Sequence, residues 1–156
     1  MTLAVTAGTI GIGGCDADIV APRALPPSEL RAVPTSIALS GRTLVLETYL
    51  WRDFSPPSPP NGVPLIAVLR VRTADGSPIP SSVTADGAWI VLGEDVWATA
   101  VAHEQRRDPT ASSFAVVARE GPKWQPGATV DVIVCLREGD RHYRLRAASQ
   151  PIHRTS

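Results

Sequence analysis

Three histidines, two cysteines and a set of arginines are the residues of this chain with the most chemistry to offer. His103 stands beside Glu104 in "AHEQRRD", and His142 lies close to Asp140 in "DRHYR". A zinc site would need donors spaced so that they converge, as when two histidines lie one helical turn apart. Neither histidine has such a partner, and neighbours in a strand point to opposite faces, so His103 and Glu104 cannot share an ion. A blue-copper site would need two histidines, a cysteine and a weak axial ligand. Cys135 and His142 fall on neighbouring strands, but the single methionine is Met1. Ser112 and Ser113 have no paired base in view, and there is no strained Gly-x-Ser-x-Gly elbow. The "GIGG" run leads into Cys15 and Asp16 rather than into a phosphate-binding lysine and a helix. Glu94 and Asp95 fall in a turn, where acids are ordinarily solvated. The expectation is therefore no metal, no cofactor and no catalytic residue: a protein that is not an enzyme.

What remains is chemistry of recognition. In the stretch 88–101 both faces are apolar, with Trp89 and Val91 on one side and Ile90, Leu92 and Trp97 on the other. A sheet in a two-layer protein buries one face, so the second needs a cover, either from this chain or from a partner. Exposed tryptophans are typical anchors of protein contacts. Near the C-terminus, Arg144 and Arg146 alternate with Tyr143 and Leu145, and Arg137 on the neighbouring strand can join them in one basic stripe. Trp97, Trp89, Arg137, Arg144 and Arg146 are thus the expected partner-binding residues. A second candidate is a small-ligand, sugar or metal site at the loop end, where Arg106 and Arg107 would clamp and Trp124 would stack.

The elements that must position these residues are strands. The 156 residues carry no net formal charge, which gives no general attraction to nucleic acid, and 44% of them are hydrophobic, too many for a disordered chain. Fifteen prolines and 12 glycines argue for short segments joined by turns. From residue 36 the apolar residues recur with period two. Leu44, Leu46, Thr48 and Leu50 face one way, and Val45, Glu47, Tyr49 and Trp51 the other. Leu65, Ala67, Leu69 and Val71 repeat the pattern, with Arg70 and Arg72 outward. Five further runs follow at 88–92, 96–103, 113–120, 129–138 and 142–148, with tight turns at Gly93-Glu94-Asp95 and Gly139-Asp140-Arg141. The reading is an all-β domain, an antiparallel immunoglobulin-like β-sandwich of about seven strands, with a closed barrel as the alternative. The proline-rich "FSPPSPPNGVP" at 54–64 reads as an extended loop between two strands of that domain.

Residues 2–14 are uncharged, apolar and too few to span a bilayer as a helix. Ile12-Gly13-Gly14-Cys15 resembles the lipobox of bacterial lipoproteins, in which an aliphatic and two small residues precede the acylated cysteine. That resemblance implies export, cleavage before Cys15 and a lipid on its thiol, although no basic residue precedes the apolar run. The alternative is an ordinary first strand or a loose tail. With Cys15 acylated, Cys135 would be left as a small buried thiol. Residues 16–35, with Pro22, Pro26, Pro27 and Pro34, read as a semi-extended tether holding one helical turn capped by Ser28. The expected organisation is a signal-like segment over 1–15, a tether over 16–35 and the sandwich over 36–156. The expected function is a non-catalytic, membrane-anchored subunit in the cell envelope, facing the periplasm or the exterior. Its partners would be an envelope or membrane protein complex and the lipid bilayer, not nucleic acid.

Overall fold

The structure, a computed structural model, describes residues 21–156. The signal-like run and the lipobox-like motif ending at Cys15 lie outside the described residues. One short helix, α1 (Pro27–Arg31), precedes eight strands: β1 (Ile37–Leu39), β2 (Arg42–Asp53), β3 (Ile66–Thr73), β4 (Val83–Leu92), β5 (Asp95–Ala100), β6 (Ser113–Ala118), β7 (Thr129–Glu138) and β8 (Arg141–Thr155). The fold is all-β, as the alternating pattern requires.

Hydrogen bonding links the strands in the order β5-β4-β7-β8-β2-β3-β6, with β1 on β2. The sheet is mixed rather than purely antiparallel. Every other pair is antiparallel, but the end of β8 runs parallel to the end of β2, with Leu50 opposite Ile152 and Asp53 opposite Thr155. The physical reason is the length of β8. Its first part pairs with β7, the register slips between Val130 and Val132, and its last residues pair with β2. Ser149 takes a positive φ of 55° within this passage. A slip of this kind bends a strand and lets it leave one part of a sheet for another.

The sheet curls so that inward side chains from both halves share one core. Leu44, Leu46 and Leu50 of β2, Leu69 and Val71 of β3 and Val116 of β6 meet Ile90 of β4, Val132 and Val134 of β7 and Leu145 of β8. The inward residues of β2 and β3 are those that the period-two pattern assigns. Just beyond β5, Ala102 bridges to Val117 of β6, exchanging backbone bonds of 3.0 and 2.9 Å.

Strands β4 and β7 are buried on both faces, and the cover comes from the chain itself. Trp89, Val91, Ile133 and Cys135 form a second cluster with Leu25, Leu30 and Val33. The stretch expected to act as a tether is therefore, from residue 21, a strap laid across the sheet. Its three apolar side chains have nowhere else to be buried, and the outer face of β4 and β7 is apolar where it crosses. Gly87 marks the crossing: a Cβ there would lie 3.0 Å from the Pro22 ring. The expected helical turn forms, but Pro26 occupies its N-cap and no side chain caps it, so Ser28 does not play that part. Pro27 at the first position supplies the helical φ instead.

The 54–64 segment does connect two strands of one domain. It is folded rather than extended: Ser58 and Gly62 donate to the carbonyls of Ser55 and Pro59, at 2.9 and 2.8 Å, and close two turns. Cys135 is disulfide-bonded and completely buried. It is not the lone thiol that the sequence reading expected.

Candidate functional site

The strap consumes most of the residues expected to bind a partner. Trp89 is completely buried, and its Nε1 donates to the carbonyl of Arg23 at 2.9 Å. The Arg144 guanidinium lies 5.6 Å from the Trp89 ring centre and pairs with Glu29 of α1 at 3.0 Å. Arg146 donates from Nε to the carbonyl of Val33 at 2.7 Å and pairs with Asp131 at 3.0 Å. Its backbone N–H donates to the carbonyl of Pro34 at 2.9 Å. Arg144 and Arg146 do share one face, as alternation requires, but they hold this chain's own strap. Arg137 is exposed at the hairpin end of that face. Trp97 points the other way from β5, half-buried against the core.

The expected ligand clamp is not assembled. The carbonyls of Ser112 and Ala111 accept from Thr73 and Ile79, each at 3.0 Å, which fixes the 105–112 loop beside the end of β3. Gly121 donates to the carbonyl of Leu65 at 3.0 Å, which fixes the 121–127 loop at the opposite end. Eight residue steps of strand, about 26 Å, separate those anchor points. Trp124 packs on the core, and its carbonyl accepts from Arg52 at 3.0 Å. Arg107 lies 4.1 Å over the Phe114 ring and donates to the carbonyls of Val83 and, at 3.1 Å, Pro80. Its burial lowers its pKa. Arg106 remains exposed.

A different site emerges on the outer face of β2, β3 and β6. Tyr49, 46% exposed, stacks on His153 at 4.7 Å between centroids and lies 5.3 Å from Trp51. Beside this ridge the 104–108 segment flanks β6 and leaves a groove of about 420 Å³. Trp51, Val68, Ala115 and Val117 give it apolar surface, and Arg70 and Arg106 line it with charge. Strand register produces the combination: Tyr49 stands opposite Val68, and Val68 opposite Val117.

The charges around the groove fall into two groups. Arg119 grips Glu104 through Nε and Nη2, both at 2.7 Å. That bond holds the Glu104 carboxyl below its ordinary range and raises the Arg119 pKa. Asp108 accepts from the Thr110 N–H and hydroxyl, which lower its pKa in turn. Arg107 is spent on carbonyls. Arg70 has only a long contact of 3.5 Å to the Ser113 hydroxyl, and Arg106 makes no hydrogen bond or ion pair among the described residues. The groove therefore offers two guanidinium groups with donors to spare.

His103 stacks on Phe114 at 5.7 Å, and one-sided desolvation, helped by the Arg107 charge, lowers its pKa. Among the described residues no three His, Cys, Asp or Glu side chains are grouped so as to hold a metal ion. No helix among them is long and apolar enough to cross a membrane. No protein-family model, curated protein or solved structure matches the chain.

Outward parity was the sequence signal for Tyr49, Trp51 and Arg70. Their union with Arg106 and Val117 depends on strand register and on the Ala102 bridge, which no local pattern encodes.

Proposed function

We propose that this chain is an exported, non-catalytic binding module of immunoglobulin-like sandwich type, which binds its ligand on the outer face of β2, β3 and β6. The observation that carries the proposal is the pairing of a groove with an aromatic ridge on a face that the described residues leave exposed, while α1 and the strap cover the outer face of β4 and β7.

Strand order supports the immunoglobulin-like reading. If β2 to β8 are lettered A, B, C, C′, E, F and G, then A, B and E are neighbours, and so are C′, C, F and G. The parallel pairing of A with G then joins the two leaves at one side.

Non-catalytic character is supported by the state of the groove's acids. Arg119 and Thr110 lower the pKa values of Glu104 and Asp108, the direction opposite to the raised value that a general acid working near neutral pH needs. Export is supported by the disulfide at Cys135, since such bonds persist in oxidising compartments. The sequence holds one other cysteine, Cys15. Cys15 lies outside the described residues, and the reading is one of export alone.

A thermal-shift screen of envelope polysaccharides, small organic acids and short peptides tests the reading, run on wild type and on a Tyr49→Ala/Trp51→Ala double variant. A stabilising ligand whose effect disappears in the double variant supports the assignment. No stabilising ligand, or one unaffected by the double substitution, overturns it.

A further inference from the structure

Resting on that reading of the face, we infer that the groove selects a carboxylate carried on a flat ring. Three observations converge on that chemistry. Its volume of about 420 Å³ lies in the range of small-molecule sites. Trp51, Val68, Ala115 and Val117 present apolar surface, and Trp51 continues into the Tyr49 and His153 rings. A flat body, whether an aromatic ring or the C–H face of a sugar, matches such a surface through stacking.

The charge is the more selective part. Four arginines line the groove against two acids, Glu104 and Asp108. Glu104 is matched by Arg119, Asp108 is satisfied by Thr110, and Arg107 is committed to two carbonyls. The surplus sits on Arg70 and Arg106. A guanidinium presents paired N–H groups in the geometry of a carboxylate, and such charge-assisted bonds are about twice as strong as neutral ones. Acetate alone would forgo the apolar surface, and a neutral ring would leave the guanidinium donors to water. A ring bearing a carboxylate uses both. An aromatic acid and a uronate-type sugar share that chemistry, and the probes below distinguish them.

The test is isothermal titration of the intact protein with 2-naphthoate and with trigalacturonate, each beside its neutral counterpart, 2-naphthylmethanol or galactotriose. The expected result is saturable binding of at least one acid, at least ten-fold tighter than its neutral counterpart. Arg70→Gln and Arg106→Gln should each weaken that binding by about ten-fold, the loss of one charge-assisted contact. Both arginines are exposed, and an unchanged melting temperature shows that each variant is folded. Binding by 2-naphthoate identifies an aromatic acid, and binding by trigalacturonate an acidic sugar. Binding of neither acid, equal binding of acid and neutral counterpart, or binding indifferent to both arginine substitutions overturns the inference. If these acids fail while the wider screen returns a ligand that requires Tyr49 and Trp51, the binding face stands and this ligand class falls.

Discussion

The Trp97 ring rests directly against the backbone of Gly121: a Cβ at position 121 would lie 2.5 Å from a carbon of that ring. The β5 tryptophan and the loop after β6 are therefore fitted to one another, and Trp97 closes one side of the core. Trp97→Ala is expected to destabilise the protein by about 2–4 kcal/mol, the usual cost of deleting a large aromatic that packs on a core. Gly121→Ala is expected to cost about 1–3 kcal/mol through overpacking. Urea denaturation of both variants checks this. Trp97 would be a surface contact instead if Trp97→Ala left the unfolding midpoint unchanged.

The strap gives the second expectation. Trp89→Phe keeps the aromatic bulk but leaves the carbonyl of Arg23 without its donor, which should cost about 1 kcal/mol. Removing residues 1–35 is a harsher change, because it uncovers Trp89, Val91 and Ile133 together. That product should bind the dye ANS and self-associate, as exposed apolar faces do. A monomeric, dye-silent truncation would show that the strap is dispensable.

Alternation made the inward residues of β2 and β3 legible in the sequence, along with the two hairpin turns and the opposite orientations of Trp89 and Trp97. Such patterns are local, because a strand's faces are set by its own pleat. What covers each face is not local. Leu25, Leu30 and Val33 are scattered among prolines, so their segment has the composition of a tether, and only the apolar surface of β4 and β7 gives them a place. The same limit explains Arg144 and Arg146, whose shared face was readable while their partners Glu29 and Val33 lay more than a hundred residues away. The groove was hidden for the same reason: register brings Val68, Ala115 and Arg70 together across β3 and β6.

Arg52 is a buried charge that ties two loops to the end of β2. It is 3% exposed and donates to the carbonyls of Val63 and Trp124, each at 3.0 Å, and to that of Asn61. One guanidinium thus holds the proline-rich 54–64 loop and the 121–127 loop together, while Phe54 lies under it at 4.8 Å. Arg52→Leu keeps some of the stem's bulk but strips three carbonyls of their donor, at an expected cost of about 3 kcal/mol. Both loops should become protease-sensitive ahead of global unfolding. Cleavage no faster than in wild type would count against Arg52 as the organiser.

Acid should weaken the fold in two stages. Asp53, Asp75, Glu104, Asp108 and Glu138 all have pKa values lowered by hydrogen bonds, from Ser55, Ser77, Arg119, Thr110 and Ser40 respectively. The unfolded chain takes up protons first, so their contribution is present above about pH 4 and is lost as pH falls below it. His103 acts with the same sign at higher pH. Its neutral form is favoured in the folded state, so stability begins to fall as pH drops below about 6.5. Because His103 is solvent-exposed on one side, this first stage should be shallow. Urea midpoints measured from pH 8 to 3 should show both stages, and His103→Phe should remove only the upper one. An unchanged upper stage in that variant would assign it to another group.

The last expectation concerns the sulfur of Cys135. It is fully buried within a disulfide, and Cys15 is the one other cysteine in the sequence. A Cys15–Cys135 bond would close a loop of more than a hundred residues, and cross-links of that span commonly add about 2–5 kcal/mol by restricting the unfolded chain. A lipid on Cys15 would forbid the bond, so the two states carry different masses. Protein isolated from its native host, alkylated without reduction and weighed intact, is expected to be two hydrogens lighter than the dithiol, with no lipid increment and no alkylated cysteine. Adding a reductant should then lower its melting temperature, and Cys135→Ala should abolish that response. A diacylglyceryl mass on an N-terminal Cys15, with Cys135 alkylated as a free thiol, would reverse the conclusion. In that case the chain would be an anchored lipoprotein, as the Ile12-Gly13-Gly14-Cys15 motif implies.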